Sequence, residues 1–107
     1  MRASFRVEIA GRAENDLLGT HDFIAQDKKK AARKWLRGAL AACRSLRTMP
    51  YRCERIPEGE ALGVEDRHLL FGNYRIIFRI QKSRVRVLRV IHGARQLTRE
   101  MLQDEPS

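Results

Sequence analysis

The stretch from Arg67 to His92 decides the fold. It reads RHLLF-GN-YRIIFRIQ-KS-RVRVLRVIH. Three β-rich runs are separated by two residue pairs of turn character, Gly72-Asn73 and Lys82-Ser83. Gly-Asn between alternating apolar runs is a hairpin signal, because only a few residue types accept the backbone of a two-residue turn. The reading is a meander of strands Arg67–Phe71, Tyr74–Gln81 and Arg84–His92.

With two-residue loops, Phe71 faces Tyr74, Leu69 faces Ile76 and Arg67 faces Phe78. Across the second turn, Ile80 faces Val85, Phe78 Val87, Ile76 Arg89 and Tyr74 Ile91. That face is almost wholly apolar and is expected to meet helices. Arg89 is its exception and needs a partner or an escape to the edge. The opposite face carries His68, Arg75, Ile77, Arg79, Arg84, Arg86, Leu88, Val90 and His92. It reads as a basic floor with a small apolar patch, open to solvent or a ligand. Arg79 and Arg86 fall opposite each other, and like charges so placed cost stability. A slip of one residue would exchange the two faces.

Upstream, Ser4 to Ile9 alternates Phe5, Val7 and Ile9 with Arg6 and Glu8, a half-buried strand. A helix from about Arg12 to Ala25 follows Gly11, with Glu14 and Asp16 in its first turn, where the helix dipole favours acids. A second helix spans about Asp27 or Lys28 to Arg47, with Asp27 as the candidate N-cap. Ala32, Trp35, Leu36, Ala39, Leu40, Cys43 and Leu46 form its apolar stripe, and Met49-Pro50 ends it. Trp35 reads as a core anchor, with base stacking as the lesser alternative. Residues 50–66 form a long connection with Pro50, Pro57, Gly59 and Gly63, where a short strand fits Arg52 to Ile56. The expected fold is therefore α+β: an N-terminal strand, an antiparallel helix hairpin, then a three-stranded antiparallel meander, the helices packed on one face of a small twisted sheet. At 107 residues this is one domain, with an ordered core of about 4–95 and an acidic tail, 100–107, expected to fray, folding over the basic face as an internal mimic of an acidic partner being the lesser alternative.

Charge is the strongest functional signal. The chain holds 22 Lys+Arg against 13 Asp+Glu, a net +9, and 17 of the cations are arginine. Arginine's planar fork suits phosphate and carboxylate. Residues 67–99 hold 9 cations and no carboxylate, whereas 54–66 hold 5 acids and 1 cation, and the last eight hold 3 acids. A carboxylate-free run of this length points to nucleic acid or an acidic protein partner. Three uses of the basic floor stay open: phosphate binding by Arg75, Arg79 and Arg86; docking of an acidic protein segment; or RNA cleavage. Cleavage without metal needs a base, an acid and cations for the phosphorane charge. His68 is the candidate base or acid there, with Arg75 and Arg79 as clamps. His92 ends its strand and reads as a capping or core-edge histidine before a catalytic one.

Cys43, Cys53 and the histidines have no zinc-ligand spacing, so neither metal nor cofactor is expected. Two unpaired thiols fit a reducing, cytoplasmic setting. No apolar run spans a bilayer, and Met1 to Ala10 has no signal-peptide core, so no membrane association is expected.

The segments Phe71-Gly72-Asn73-Tyr74-Arg75-Ile76-Ile77-Phe78 and Val87-Leu88-Arg89-Val90-Ile91-His92-Gly93-Ala94-Arg95 resemble the signature end of the RelE/ParE toxin superfamily. The first helix agrees through Ala13, Asp16, Leu17, Phe23, Ile24 and Ala25, and the likeness covers about residues 4–95. The resemblance implies a toxin of a type II toxin–antitoxin system, neutralised by a cognate antitoxin whose acidic tail would suit the basic surface. RelE-like members cut mRNA on the ribosome; ParE-like members share the fold and poison DNA gyrase. Arg75 matches the arginine after the aromatic of the third strand, and Arg95 falls where RelE-like members hold another functional arginine. His68 lies near the strand position where they carry lysine base candidates; those lysines are absent here, the neighbouring residues being Asp66 and Arg67. Leu97 to Ser107 lacks their terminal tyrosine. The resemblance is thus ParE-like, with gyrase as the implied target and the ribosome and mRNA as the alternative. His68, Arg75 and Arg95 are catalytic candidates only for the ribonuclease; Arg75, Arg79, Arg84, Arg86, His92 and Arg95 are candidates for anion or partner binding.

Overall fold

The computed structural model describes residues 4–104. Strand β1 (Arg6–Ile9) leads into helices α1 (Gly11–Ala25) and α2 (Lys29–Ser45), followed by a 3-10 turn at Pro50–Arg52 and a single helical turn, α3 (Gly59–Leu62). Strands β2 (Arg67–Phe71), β3 (Tyr74–Gln81) and β4 (Arg84–His92) come next, then a 3-10 turn at Glu100–Leu102. The α+β reading holds. The sheet is mixed, in the order β1-β4-β3-β2, with β1 parallel to β4 and both hairpins antiparallel. The hairpins close over two residues each, and Gly72 (φ 56°) and Lys82 (φ 57°) take the left-handed backbone there.

The strand fitted to Arg52–Ile56 shrinks to one bridge, Arg55 to Arg67. The N-cap of α2 is Lys28, not Asp27, and no side chain caps it. The helix also stops at Ser45, two residues short of Arg47.

The register departs from the expected one at a single place. Phe78 faces Val87 and Ile80 faces Val85 as read, but a bulge follows, so that Ile77 faces Arg89, Ile76 Val90 and Tyr74 His92. Leu88 is the extra residue. The physical gain is direct: an unbulged ladder would set Arg89 against Ile76 in the core, whereas the bulge puts Val90 there. Ile76, Phe78, Val85, Val87 and Val90 join Ala13, Leu17, Ala39, Cys43 and Leu46 in one buried cluster between sheet and helices. Trp35 packs on this cluster and meets the rings of Phe71 and Tyr74 edge-on, as an anchor should.

The opposite face is not an open floor. Ile77 and Ile91 are buried beneath Leu97, Met101 and Leu102 of the C-terminal segment and Ile56 of the connection. The tail expected to fray is therefore packed as far as Asp104, with Leu102 1% exposed; residues 105–107 lie outside the described part. The reason is hydrophobic: Ile77 and Ile91 would otherwise face water, and burial of each large apolar side chain favours folding by about 1.5–3 kcal/mol.

Candidate functional site

The basic residues gathered on this face come from β2, β3 and β4, and carboxylates from the two acidic stretches fold back onto them. Arg75 is 6% exposed. Its Nη1 and Nη2 donate to both oxygens of Glu58 at 2.8 and 2.9 Å, and its Nε donates to His68 Nδ1 at 3.0 Å. His68 is buried and bonds Glu54 Oε1 through Nε2, also at 3.0 Å. Since Nδ1 accepts from arginine, the ring proton belongs on Nε2, donated to Glu54. Arg79 makes a two-pronged pair with Asp66, at 2.8 and 3.1 Å, and donates to the Leu102 carbonyl. Arg86 grips both oxygens of Asp104 at 2.9 and 3.1 Å and lies 3.7 Å from Glu8.

Arg79 and Arg86 do face each other across the ladder. Asp66 and Asp104, one for each, offset their repulsion. Asp66 is 2% exposed and sits at the end of the connection, which α3 and the Ile56 N–H bond to the Asp66 carbonyl hold in place. Gly59 permits that fold: a Cβ there would stand 2.7 Å from the Val64 carbonyl oxygen.

The pairs shift titration in the directions their geometry requires. The hydrogen bond from Arg75 holds the Glu58 carboxyl below its ordinary 4.5. Asp66 raises Arg79, chiefly by hydrogen bonding, and Asp16 does the same for Arg89. Burial raises both thiols, Cys43 to about 11.

The other candidates are scattered by comparison. Arg84 is exposed beside Glu8 at 3.6 Å. His92 is exposed; its ring lies edge-on to Tyr74 and its Nδ1 accepts the Ala94 N–H. Arg95 is exposed, and its side chain has no partner among the described residues. His68, Arg75, His92 and Tyr74 line one open groove of about 500 Å³ with Pro57, Glu58 and the Gly93-Ala94 turn; Arg79, Arg84, Arg86 and Arg95 do not line it. Sequence reasoning missed Glu54, Glu58 and Asp66 as occupants of the basic floor; Asp104 realises the lesser alternative, an acidic tail folded over that face. Their signal was present as the acidic runs flanking the carboxylate-free stretch. Among the described residues, no cluster of His, Cys, Asp and Glu could hold a metal ion, and no helix is long and apolar enough to cross a membrane.

A family model described as the ParE toxin of type II toxin–antitoxin system, parDE, matches residues 7–97. Among solved structures, a chain of the chromosomal ParDE TA system from P. aeruginosa superposes with a TM-score of 0.69 at 16% identity. The match covers 83% of this chain and 96% of that one. At that identity the likeness speaks for the fold alone. No curated protein matches the chain.

Proposed function

The chain belongs to the family of ParE toxins of type II toxin–antitoxin systems, and on that premise we propose that it arrests growth by binding and inhibiting DNA gyrase. A cognate antitoxin, encoded as its partner, neutralises it. The observation that carries the reading is the internal pairing of His68 and Arg75. A metal-free ribonuclease needs a free base, a free acid and unpaired cations around a phosphate. Here His68 has both ring nitrogens engaged, and Arg75 spends its fork on Glu58. A toxin that works by protein contact needs no such free groups.

The test is induction in bacteria with two readouts from the same cells: gyrase supercoiling in the lysate, and the integrity of an actively translated message. Lost supercoiling with intact message is the expected result. Cut message with normal supercoiling would overturn the choice of target and return His68, Arg75 and Arg95 to the catalytic role. Rescue by co-expressing an antitoxin encoded beside the toxin tests the partner.

A further inference from the structure

With Arg75, Arg79, Arg86 and Arg89 paired internally, the densest group of unpaired cations lies on α2; Arg6, Arg47, Lys82, Arg95 and Arg99 are scattered elsewhere. Lys29, Lys30, Arg33, Lys34, Arg37 and Arg44 are all exposed. None of the six has an ion pair or side-chain hydrogen bond among the described residues. At 3.6 residues per turn they fall within about 140° of the helix circumference and extend about 22 Å along it. Ala32, Ala39 and Cys43 occupy the buried side. Helix α2 contains no acid.

This arrangement costs stability, and no carboxylate among the described residues pairs with these cations to offset it. Lysines crowd the first turn, where the helix dipole repels cations, and no side chain caps that end. Lys29 and Arg33, Lys30 and Lys34, and Arg33 and Arg37 are like-charge pairs at four-residue spacing, each unfavourable by a few tenths of a kcal/mol. A bound polyanion would relieve both terms.

The arc also lacks what a protein partner uses. Apart from the cations the arc holds exposed Ala41 and Leu40, which is half-buried and packed on the core, whereas protein interfaces centre on aromatic or large aliphatic anchors. A row of long cations with no anchor suits a regular series of phosphates, which duplex DNA presents at one charge per about 1.7 Å of axis. We propose that the exposed arc of α2 is a sequence-independent surface for the phosphate backbone of duplex DNA. Binding by the isolated chain is read without gyrase, so this inference stands or falls apart from the target proposed above.

The experiment is fluorescence anisotropy of a labelled 20-base-pair duplex of arbitrary sequence, titrated with the protein over a salt series. The Arg33→Gln/Lys34→Gln/Arg37→Gln variant is compared with Arg6→Gln/Arg55→Gln/Arg99→Gln, which removes the same charge from exposed positions elsewhere. Each phosphate contact contributes about 0.9 to the slope of log K against log salt. The α2 variant should lose about 2–3 from that slope and more than tenfold in affinity at low salt. The control variant should lose less than about 1. Equal losses in both variants would show diffuse net charge instead and overturn the proposal. So would failure of the wild type to bind the duplex, or binding of polyglutamate, rather than DNA, that depends on the α2 cations. If the triple variant does not fold, Lys29→Gln/Arg44→Gln reads the same slope.

Discussion

Asp16 of α1 holds Arg89 of β4 with two parallel hydrogen bonds, Nε to Oδ2 at 2.7 Å and Nη2 to Oδ1 at 2.9 Å. The Val90 N–H donates to the same Oδ2 at 2.9 Å. The two residues are 73 positions apart in the chain. One carboxylate thus satisfies the guanidinium that follows the bulge and a backbone donor beside it, and it fastens the first helix to the sheet. Both side chains are largely buried, at 14% and 10% exposure.

Removing one member of such a pair leaves the other charge buried without compensation. Asp16→Ala should cost about 3–5 kcal/mol, read as a fall in the urea midpoint with unchanged slope. The double variant Asp16→Leu/Arg89→Met should recover much of that loss, because two apolar groups of similar volume carry no desolvation penalty. A double variant no more stable than Asp16→Ala would mean that the bulge itself needs the carboxylate at the Val90 N–H.

The C-terminal cover rests on packing as well as charge, and the two can be separated. Leu102→Ala keeps the backbone carbonyl that Arg79 donates to and removes only the buried side chain. The expected loss is about 2–5 kcal/mol. Asp104→Asn keeps the packing and weakens the grip on Arg86, with an expected loss of about 1 kcal/mol. Limited proteolysis should release the segment after Gln96 from the leucine variant first.

The contrast between sequence and structure is sharpest on this same face. Alternation and the Gly72-Asn73 turn make the meander legible, since each turn pins the pairing beside it. The bulge is not, because Leu88 is an ordinary strand residue and only the three-dimensional cost of Arg89 against Ile76 selects the extra residue. The family signature was legible in order and spacing from Ala13 to Arg95. The cover was written faintly, as Leu97, Met101 and Leu102 at helix-like spacing in a segment whose acids suggested solvent. Most of all, charge counts show that 67–99 needs a complement of carboxylates. They do not say whether that complement comes from another molecule or, as here, from Glu58, Asp66 and Asp104 of the same chain.

The Arg75–Glu58 pair sets a pH dependence. The Glu58 carboxyl titrates below its ordinary 4.5 in the folded chain because Arg75 favours its ionised form. The unfolded state therefore binds the proton first as pH falls. The stability from this pair is complete above pH 4.5 and is lost as pH drops through the folded value. Glu58→Gln should be less stable than wild type at pH 7, by on the order of 2 kcal/mol, since Arg75 is buried. The two thermal melting curves should converge as pH is lowered below 4.5. A constant gap at every pH would assign the loss to packing around Glu58 rather than to its charge.

Thiol chemistry gives the last prediction. Cys43 is fully buried against α1 and the sheet, and burial raises its thiol from 9.0 to about 11. Cys53 is buried as well, and shifted the same way. At pH 8 a thiol titrating at about 11 is roughly 0.1% thiolate, about a hundredfold less than one at 9.0. Both sites should therefore resist a disulfide reagent in the native protein at pH 8 and react together in denaturant. The sign of the linkage follows: a raised thiol contributes stability in full below pH 9.0, and that contribution is lost as pH rises toward 11. Cys43→Ala should flatten this alkaline decline while lowering stability at pH 7 by about 1 kcal/mol, since a small side chain leaves a small cavity. Native labelling of one thiol at pH 8, mapped by peptide mass, would show that its surroundings open locally without global unfolding.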